Sequence, residues 1–108
     1  MKVIYVKEVT EYLDSLIFEL YANEYFGFIE AAENYIFKLT NEIETTIHLK
    51  QKRHHYGKYN KPSKDLVASF NISKSVTWFA FYEVKNNFYI IKRIINSQNK
   101  TSNKIKGL

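Results

Sequence analysis

Apolar residues recur along the chain with two different periods, and the change between them divides the sequence into elements. A short strand-type run at residues 2–6 precedes apolar residues at three- and four-residue steps, which predict two amphipathic helices. The stripe of the first helix comprises Val9, Tyr12, Leu13, Leu16, Ile17, Leu20 and Tyr21. The second helix, predicted from about residue 28 to about residue 49, has the stripe Phe28, Ala32, Tyr35, Ile36, Leu39, Ile43 and Ile47.

The second half of the chain changes to strand-type sequence. Residues 66–72, 76–82 and 88–95 are rich in aromatic and β-branched side chains, and Asn86-Asn87 supplies turn residues that tolerate a left-handed backbone. Apolar groups on both faces of residues 76–82 predict a strand in the interior of a sheet. Simple alternation in residues 88–95 sends the neighbours Lys92 and Arg93 to opposite faces.

These segments predict an α+β fold with the order β-α-α-β-β-β. We expect an N-terminal strand, an antiparallel helical hairpin and a three-stranded antiparallel meander, with the helices on one face of the sheet and the other face partly open. The length suits one domain, in residues 1–99, followed by a basic, flexible tail in residues 100–108. The opening residues resemble neither a signal peptide nor a membrane span.

Charge divides the chain into an acidic and a basic half. Residues 1–49 hold nine acidic residues against three Lys, a net charge of −6, whereas residues 50–108 hold thirteen Lys and Arg against two acidic residues, a net charge of +11. This asymmetry favours a basic surface for a polyanion or an acidic partner, and the alternative is a chance distribution of solvating charge. The absence of Cys excludes disulfides and thiol catalysis and fits a reducing cytosol.

The segment 50–64, predicted as a loop that can include a short irregular strand, carries the densest candidate binding chemistry. Cations neutralise phosphates and aromatic rings stack on unpaired bases, so we expect nucleic-acid contacts from this loop. The candidates are Lys52, Arg53, Lys58, Lys61, Lys64, Tyr56 and Tyr59. The alternative is a solvated loop whose Tyr rings fold onto the sheet. His54 and His55 are candidate general bases, and no metal site or other cofactor is expected.

The last strand and the turn at Ser73-Lys74-Ser75 supply a second set of candidates. Lys74, Lys92 and Arg93 are possible phosphate contacts, although Lys92 and Arg93 would also suit an exposed edge that discourages strand association. No Gly-rich phosphate loop or nucleophile motif is present. A combination of Lys, Arg, His and Tyr suits cleavage of a phosphodiester by an RNA 2′-hydroxyl, with Arg93 stabilising the developing charge.

The order and spacing of several short motifs resemble the RelE/ParE superfamily of bacterial type II toxin–antitoxin systems. The motifs are Glu24-Tyr-Phe-Gly-Phe28, Tyr56-Gly-Lys-Tyr59, Thr77-Trp-Phe-Ala-Phe-Tyr82 and Tyr89-Ile-Ile, followed by Ile94-Ile-Asn96. The resemblance covers most of residues 2–99. It implies a small cytoplasmic toxin that is neutralised by a cognate antitoxin and touches no membrane.

The resemblance leaves the activity open. It implies cleavage of mRNA at the ribosome, as an endoribonuclease, or inhibition of DNA gyrase without hydrolysis, or an inactive protein retained as an adaptor. Where a branch of the superfamily ends its last strand in Asn-Asn-His, this chain has Asn96-Ser97-Gln98, and an amide does not titrate. A nuclease would then depend on Arg93 with His54, His55 or Tyr89.

Overall fold

The structure is a computed structural model that describes residues 2–23, 27–56, 62–73 and 76–97, without the side chains of residues 54–56 and 62–64. Five strands and two helices follow one another in the order that the sequence predicts, with one additional short strand. In chain order the elements are β1 (Lys2–Tyr5), α1 (Lys7–Ala22), α2 (Ile29–Thr46), a 3₁₀ turn (Ile47–Leu49), β2 (Arg53–Tyr56), β3 (Pro62–Asn71), β4 (Thr77–Lys85) and β5 (Phe88–Asn96).

The strands form one open, mixed sheet with the order β1-β5-β4-β3-β2. Strands β3, β4 and β5 make the predicted antiparallel meander, and β1 pairs with β5 in parallel. β2, in the segment predicted as a loop, adds an antiparallel strand beside β3. The strand with apolar groups on both faces, β4, lies at the centre of the sheet, which confirms its predicted interior position.

The helical hairpin covers one face of the sheet with the predicted apolar stripes, apart from one residue in each. Val9, Leu13, Leu16 and Leu20 of α1 are buried, and the corresponding residues of α2 join them in one core. Tyr21, by contrast, is 46% exposed in the last turn of α1. Phe28 is 73% exposed because it precedes α2 in an extended conformation and therefore does not follow the helical period. None of the helices in the described ranges is long and apolar enough to cross a membrane.

Aromatic side chains from the centre of the sheet fill the core beneath the helices. Trp78, Tyr82 and Phe70 are fully buried. The Trp78 indole Nε1 donates a hydrogen bond of 3.1 Å to the hydroxyl of Tyr35 on α2, which satisfies the one polar atom of the indole ring. This bond fixes the hairpin against the centre of the sheet.

The turn between β4 and β5 has the backbone geometry that its sequence predicts. Asn86 and Asn87 have φ values of 52° and 67°, so both residues of the two-residue turn lie in the left-handed region. This conformation matches the twist of the two strands, and asparagine tolerates it better than most residues do. The turn therefore fixes the start of the β4–β5 register.

Candidate nucleic-acid interface

A β-bulge in β5 places two neighbouring cations on the same face of the sheet. Phe81 of β4 pairs with Arg93, and the next residue, Tyr82, pairs with Ile91, so Lys92 is the extra residue on β5. A bulge reverses the alternation of side chains beyond it. Ile91 and Ile94 are therefore both buried under the helices, although they lie three positions apart and regular alternation would send them to opposite faces.

The predicted separation of Lys92 and Arg93 onto opposite faces is therefore wrong. Both side chains are exposed on the face that the helices leave uncovered, which we call the open face. In a regular strand, Arg93 would share the helix-covered face with Ile91 and would lose its hydration there. The bulge avoids that cost and brings both charges to the open face.

Strand register aligns two arginines at the ends of one row across the open face. Arg53 on β2 pairs with Val67, Val67 pairs with Phe81, and Phe81 pairs with Arg93. Three inter-strand steps separate the two arginines by about 14 Å. The row therefore has a cation at each end and apolar side chains between them.

The aromatic ring in this row is covered by its charged neighbour. The Arg93 guanidinium carbon lies 5.6 Å from the centroid of the Phe81 ring, within the range of a cation–π contact. Phe81 is 7% exposed although no helix covers it. Its neighbour two residues earlier, Phe79, is partly buried on the same face and pairs with Ile95. Displacement of Arg93 by a phosphate would uncover an aromatic ring on which a base can stack.

Lys92 is held by an acidic side chain from two strands away. Its Nζ lies 3.1 Å from Oδ1 of Asp65 on β3, and both side chains are about one third exposed. The hydrogen bond and charge of Asp65, with a smaller effect of Glu83, raise the pKa of Lys92 above its ordinary value. Lys92 therefore stays charged at neutral pH, and its amine points across β4 toward β3.

A cavity of about 250 Å³ lies at the Arg53 end of the row. Its lining combines Lys50, Arg53 and Ser69 with the apolar side chains of Val67 and Phe79. The Arg53 guanidinium donates a hydrogen bond of 3.3 Å to the side-chain oxygen of Gln51. The Arg53 guanidinium beside the ring of Phe79 suits a phosphate and a base of one nucleotide.

The structure does not bring all of the predicted site residues together. Tyr89 is 5% exposed on the helix-covered face, where its ring meets Tyr82 edge to face at 5.8 Å, so it lies across the sheet from Arg93. Lys52 is exposed immediately before β2. His54 lies on β2 opposite Leu66 of β3, and Tyr56 pairs with Pro62.

Several predicted residues lie outside the described part of the chain. They are Lys58, Tyr59, Lys61, Lys74 and Gln98, together with the tail at 100–108. For His54, His55, Tyr56 and Lys64 the backbone is described but the side chain is not. The described part of the interface therefore consists of the row from Arg53 to Arg93, with Lys92 and Lys52.

Two contributors to the interface, Asp65 and Phe81, were missed by the sequence reasoning. Lys50 lines the cavity beside Arg53, but its Nζ lies 4.7 Å from the centroid of the Phe70 ring, which belongs to the helix-covered face. Asp65 is 27 residues from Lys92, so sequence spacing gives no sign of their contact. Phe81 was not among the predicted site residues, because its position beside Arg93 depends on the bulge.

Comparison with known proteins identifies no relative in which the same geometry could be sought. No family model matches the chain, and searches of curated proteins and of solved structures find no significant match. Among the described residues, no cluster of three or more His, Asp or Glu side chains is arranged to hold a metal ion. We therefore infer the function from the residues of the open face.

Proposed function

We propose that this protein is a RelE/ParE-like toxin of a type II toxin–antitoxin system and that its open face binds RNA, at the ribosome or on mRNA. The observation that carries the proposal is the row Arg53–Val67–Phe81–Arg93, which has a cation at each end and an aromatic ring in the middle. Single-stranded nucleic acid is bound by this combination of charge and stacking. The β-α-α-β-β-β order agrees with the fold that the sequence resemblance implies.

The expected activity is cleavage of mRNA, with Arg93 as the cation that stabilises charge on the reacting phosphate. The guanidinium is exposed and lies over an aromatic ring, so it can contact a phosphate without the loss of a buried ion pair. His54 and His55 are the candidates for proton transfer. Tyr89 is a weaker candidate because it lies on the opposite face of the sheet from Arg93.

A second candidate function is inhibition of DNA gyrase without hydrolysis. It is favoured by the composition of the open face: its described charged side chains include Arg53, Lys92, Arg93 and Asp65, but no histidine. His48, whose side chain is described, lines a different cavity together with Tyr89. Binding of a polyanion needs cations alone, whereas cleavage also needs a group that moves a proton.

The two functions and the toxin assignment can be separated by one set of measurements. The full chain is expressed from an inducible promoter in bacterial cells, growth is followed, and transcript ends are mapped; purified protein is then tested for inhibition of gyrase supercoiling. Growth arrest with new transcript ends supports cleavage, and arrest with blocked supercoiling and intact transcripts supports the second candidate. Absence of arrest contradicts both and leaves an adaptor role.

A pair of single substitutions tests whether transcript cleavage depends on the open face. Arg93→Ala should reduce transcript cleavage by at least tenfold, and by more than it reduces RNA binding, because the arginine then stabilises charge in the transition state as well as the bound phosphate. Lys38→Ala, which removes an exposed cation from α2, should leave both unchanged. Equal effects of the two substitutions would contradict the assignment to the open face.

We also propose a partner protein and a cellular location. A toxin of this class requires a cognate antitoxin, which we expect in an adjacent short reading frame that encodes an acidic or helix-turn-helix protein. Such a toxin acts in the cytoplasm. Co-expression with that neighbour should restore growth, and failure to do so would contradict the pairing.

A further inference from the structure

The outer surface of the helical hairpin carries large aromatic side chains that face solvent. Phe18 of α1 is 64% exposed and Phe37 of α2 is 68% exposed. Phe18 lies midway between Leu16 and Leu20, both buried, and successive helical residues are about 100° apart. Its ring therefore points away from the sheet, as does that of Phe37. Exposed aromatic residues on one surface are typical of protein-interaction sites.

Acidic residues surround the two rings. The two helices together contain eight acidic residues against Lys7 and Lys38, which gives the helical layer a net charge of −6. Asp14 lies one turn before Phe18, and Glu33 lies one turn before Phe37, so each ring has a carboxylate as a neighbour on its own helix. We call Asp14, Phe18, Glu33 and Phe37 the aromatic helix face.

The positions of the two rings suit contact with one further helix. Phe18 is four residues before the end of α1 and Phe37 is eight residues after the start of α2. In an antiparallel hairpin whose two adjoining helix ends are level, these positions would differ by about 6 Å along the axis. Packed helices lie about 8–10 Å apart. The combined separation of roughly 10–12 Å is close to the distance between positions i and i+7 of a helix, about 10.5 Å, which share one face.

We propose that the aromatic helix face docks a basic amphipathic helix of a partner protein. The two phenylalanine rings would pack into the apolar stripe of that helix, and its Lys and Arg side chains would meet the carboxylates of Asp14 and Glu33. The net charge of −6 selects against nucleic acid and against an acidic helix on this surface. This site is separate from the open face, since it lies on the far side of the helical layer.

The proposal is tested by titration of the full chain with fluorescein-labelled model peptides, followed by fluorescence anisotropy. The probe is a helical amphipathic peptide of Lys and Leu, and the two controls are a peptide of the same composition with its Leu residues scattered and an amphipathic peptide of Glu and Leu. We expect micromolar binding of the first peptide and binding at least tenfold weaker for both controls. Equal binding of the amphipathic and scattered Lys/Leu peptides would overturn the proposal.

Variants locate the site. Phe18→Ser with Phe37→Ser should weaken binding of the amphipathic Lys/Leu peptide at least tenfold, and Asp14→Lys with Glu33→Lys should do the same. Each position is exposed, so the fold is retained, which circular dichroism checks. Leu49→Ser, which changes a side chain that is 73% exposed outside this surface, should leave binding unchanged. Unchanged binding in the double Ser variant would overturn the proposal.

A second copy of the chain is the competing occupant. We expect the wild type to sediment as a monomer at all concentrations tested. A dimer that becomes a monomer in the Phe18→Ser, Phe37→Ser variant would show that the face joins two copies, and the proposal of a basic helical partner would then be wrong.

Discussion

Aromatic residues on the two faces of the sheet are shielded from solvent by different groups. Trp78 points to the covered face, is fully buried, and donates a hydrogen bond to Tyr35 of α2. Phe81, three residues later, points to the open face and is covered by the side chain of Arg93. A ring held by packed helices belongs to the folding core, whereas a ring under a solvated guanidinium can be exposed to a ligand at little cost. The covered face therefore provides stability, and we propose that the open face provides binding.

The largest expected effect is on the covered face. Trp78→Ala should lower the free energy of unfolding by about 4 kcal/mol, because it leaves a large cavity at the centre of the core. Phe79→Ala, one residue along β4 on the open face, should cost about 1 kcal/mol, since its ring is partly exposed in the folded state. Urea denaturation measures both values, and similar losses would contradict the contrast between the faces.

A partly buried tyrosine on the helical layer, Tyr12 of α1, should make the stability of the protein depend on alkaline pH. Burial, with a smaller effect of Glu19, raises the pKa of Tyr12 to about 12 from 10.0. The folded state thus favours the neutral phenol, whose contribution is complete below pH 10 and is lost as the pH rises toward about 12. We expect about 2 kcal/mol of stability to be lost over this range. Burial also raises the pKa of Tyr5 and of Tyr82, so Tyr12→Phe should remove only its own part of the alkaline loss in denaturation curves measured at successive pH values. An unchanged slope would contradict the prediction.

Two buried tyrosines, one on α2 and one on β4, provide a matched pair in the core. Tyr35→Phe removes the acceptor of the Trp78 indole and should cost about 1–2 kcal/mol, because a buried donor loses its partner. The Tyr82 hydroxyl is buried and has no hydrogen-bond partner among the described residues, so Tyr82→Phe should be neutral or slightly stabilising. Thermal unfolding measures the stability of both variants. A larger loss of stability in Tyr82→Phe than in Tyr35→Phe would contradict this prediction.

The smallest effect on stability is expected at the ion pair of the open face. Asp65→Asn should change the free energy of unfolding by less than about 1 kcal/mol, because partly exposed ion pairs contribute little. It should instead strengthen RNA binding a few-fold, since it removes a negative charge from the open face and releases Lys92. Weaker RNA binding by this variant would contradict the prediction and would show that Asp65 holds Lys92 in the position needed to contact RNA.

Sequence patterns predicted the scaffold well because the fold depends on local periodicity. The helical stripes and the Asn86-Asn87 turn each act within a few residues, and the structure has the predicted β-α-α-β-β-β order with β2 as an additional strand. Tyr21 and Phe28 were assigned to the core because apolar type alone does not reveal where a helix begins or ends its regular period.

The arrangement of the open face was not predictable in the same way. Lys92-Arg93 is preceded by Ile90-Ile91 and followed by Ile94-Ile95. Because each isoleucine pair offers an apolar side chain to either face, the residue types do not show that the alternation changes at the bulge. The row that joins Arg53 to Arg93 depends on three successive strand registers, and each register is a tertiary property. Residue types therefore indicated a polyanion surface, but its geometry required the structure.

The central claim is tested most directly by RNA affinity at a series of salt concentrations. A fluorescein-labelled short single-stranded RNA is titrated with wild-type protein and with the variants Arg53→Ala, Arg93→Ala and Lys38→Ala. Each open-face substitution should weaken binding about tenfold and should reduce the salt slope by about 0.7, the contribution of one phosphate contact on a single strand. Lys38→Ala, on the helical layer, should change neither quantity. Equal losses for Lys38→Ala, or RNA binding that the Arg53 and Arg93 substitutions leave intact, would contradict the assignment of binding to the open face.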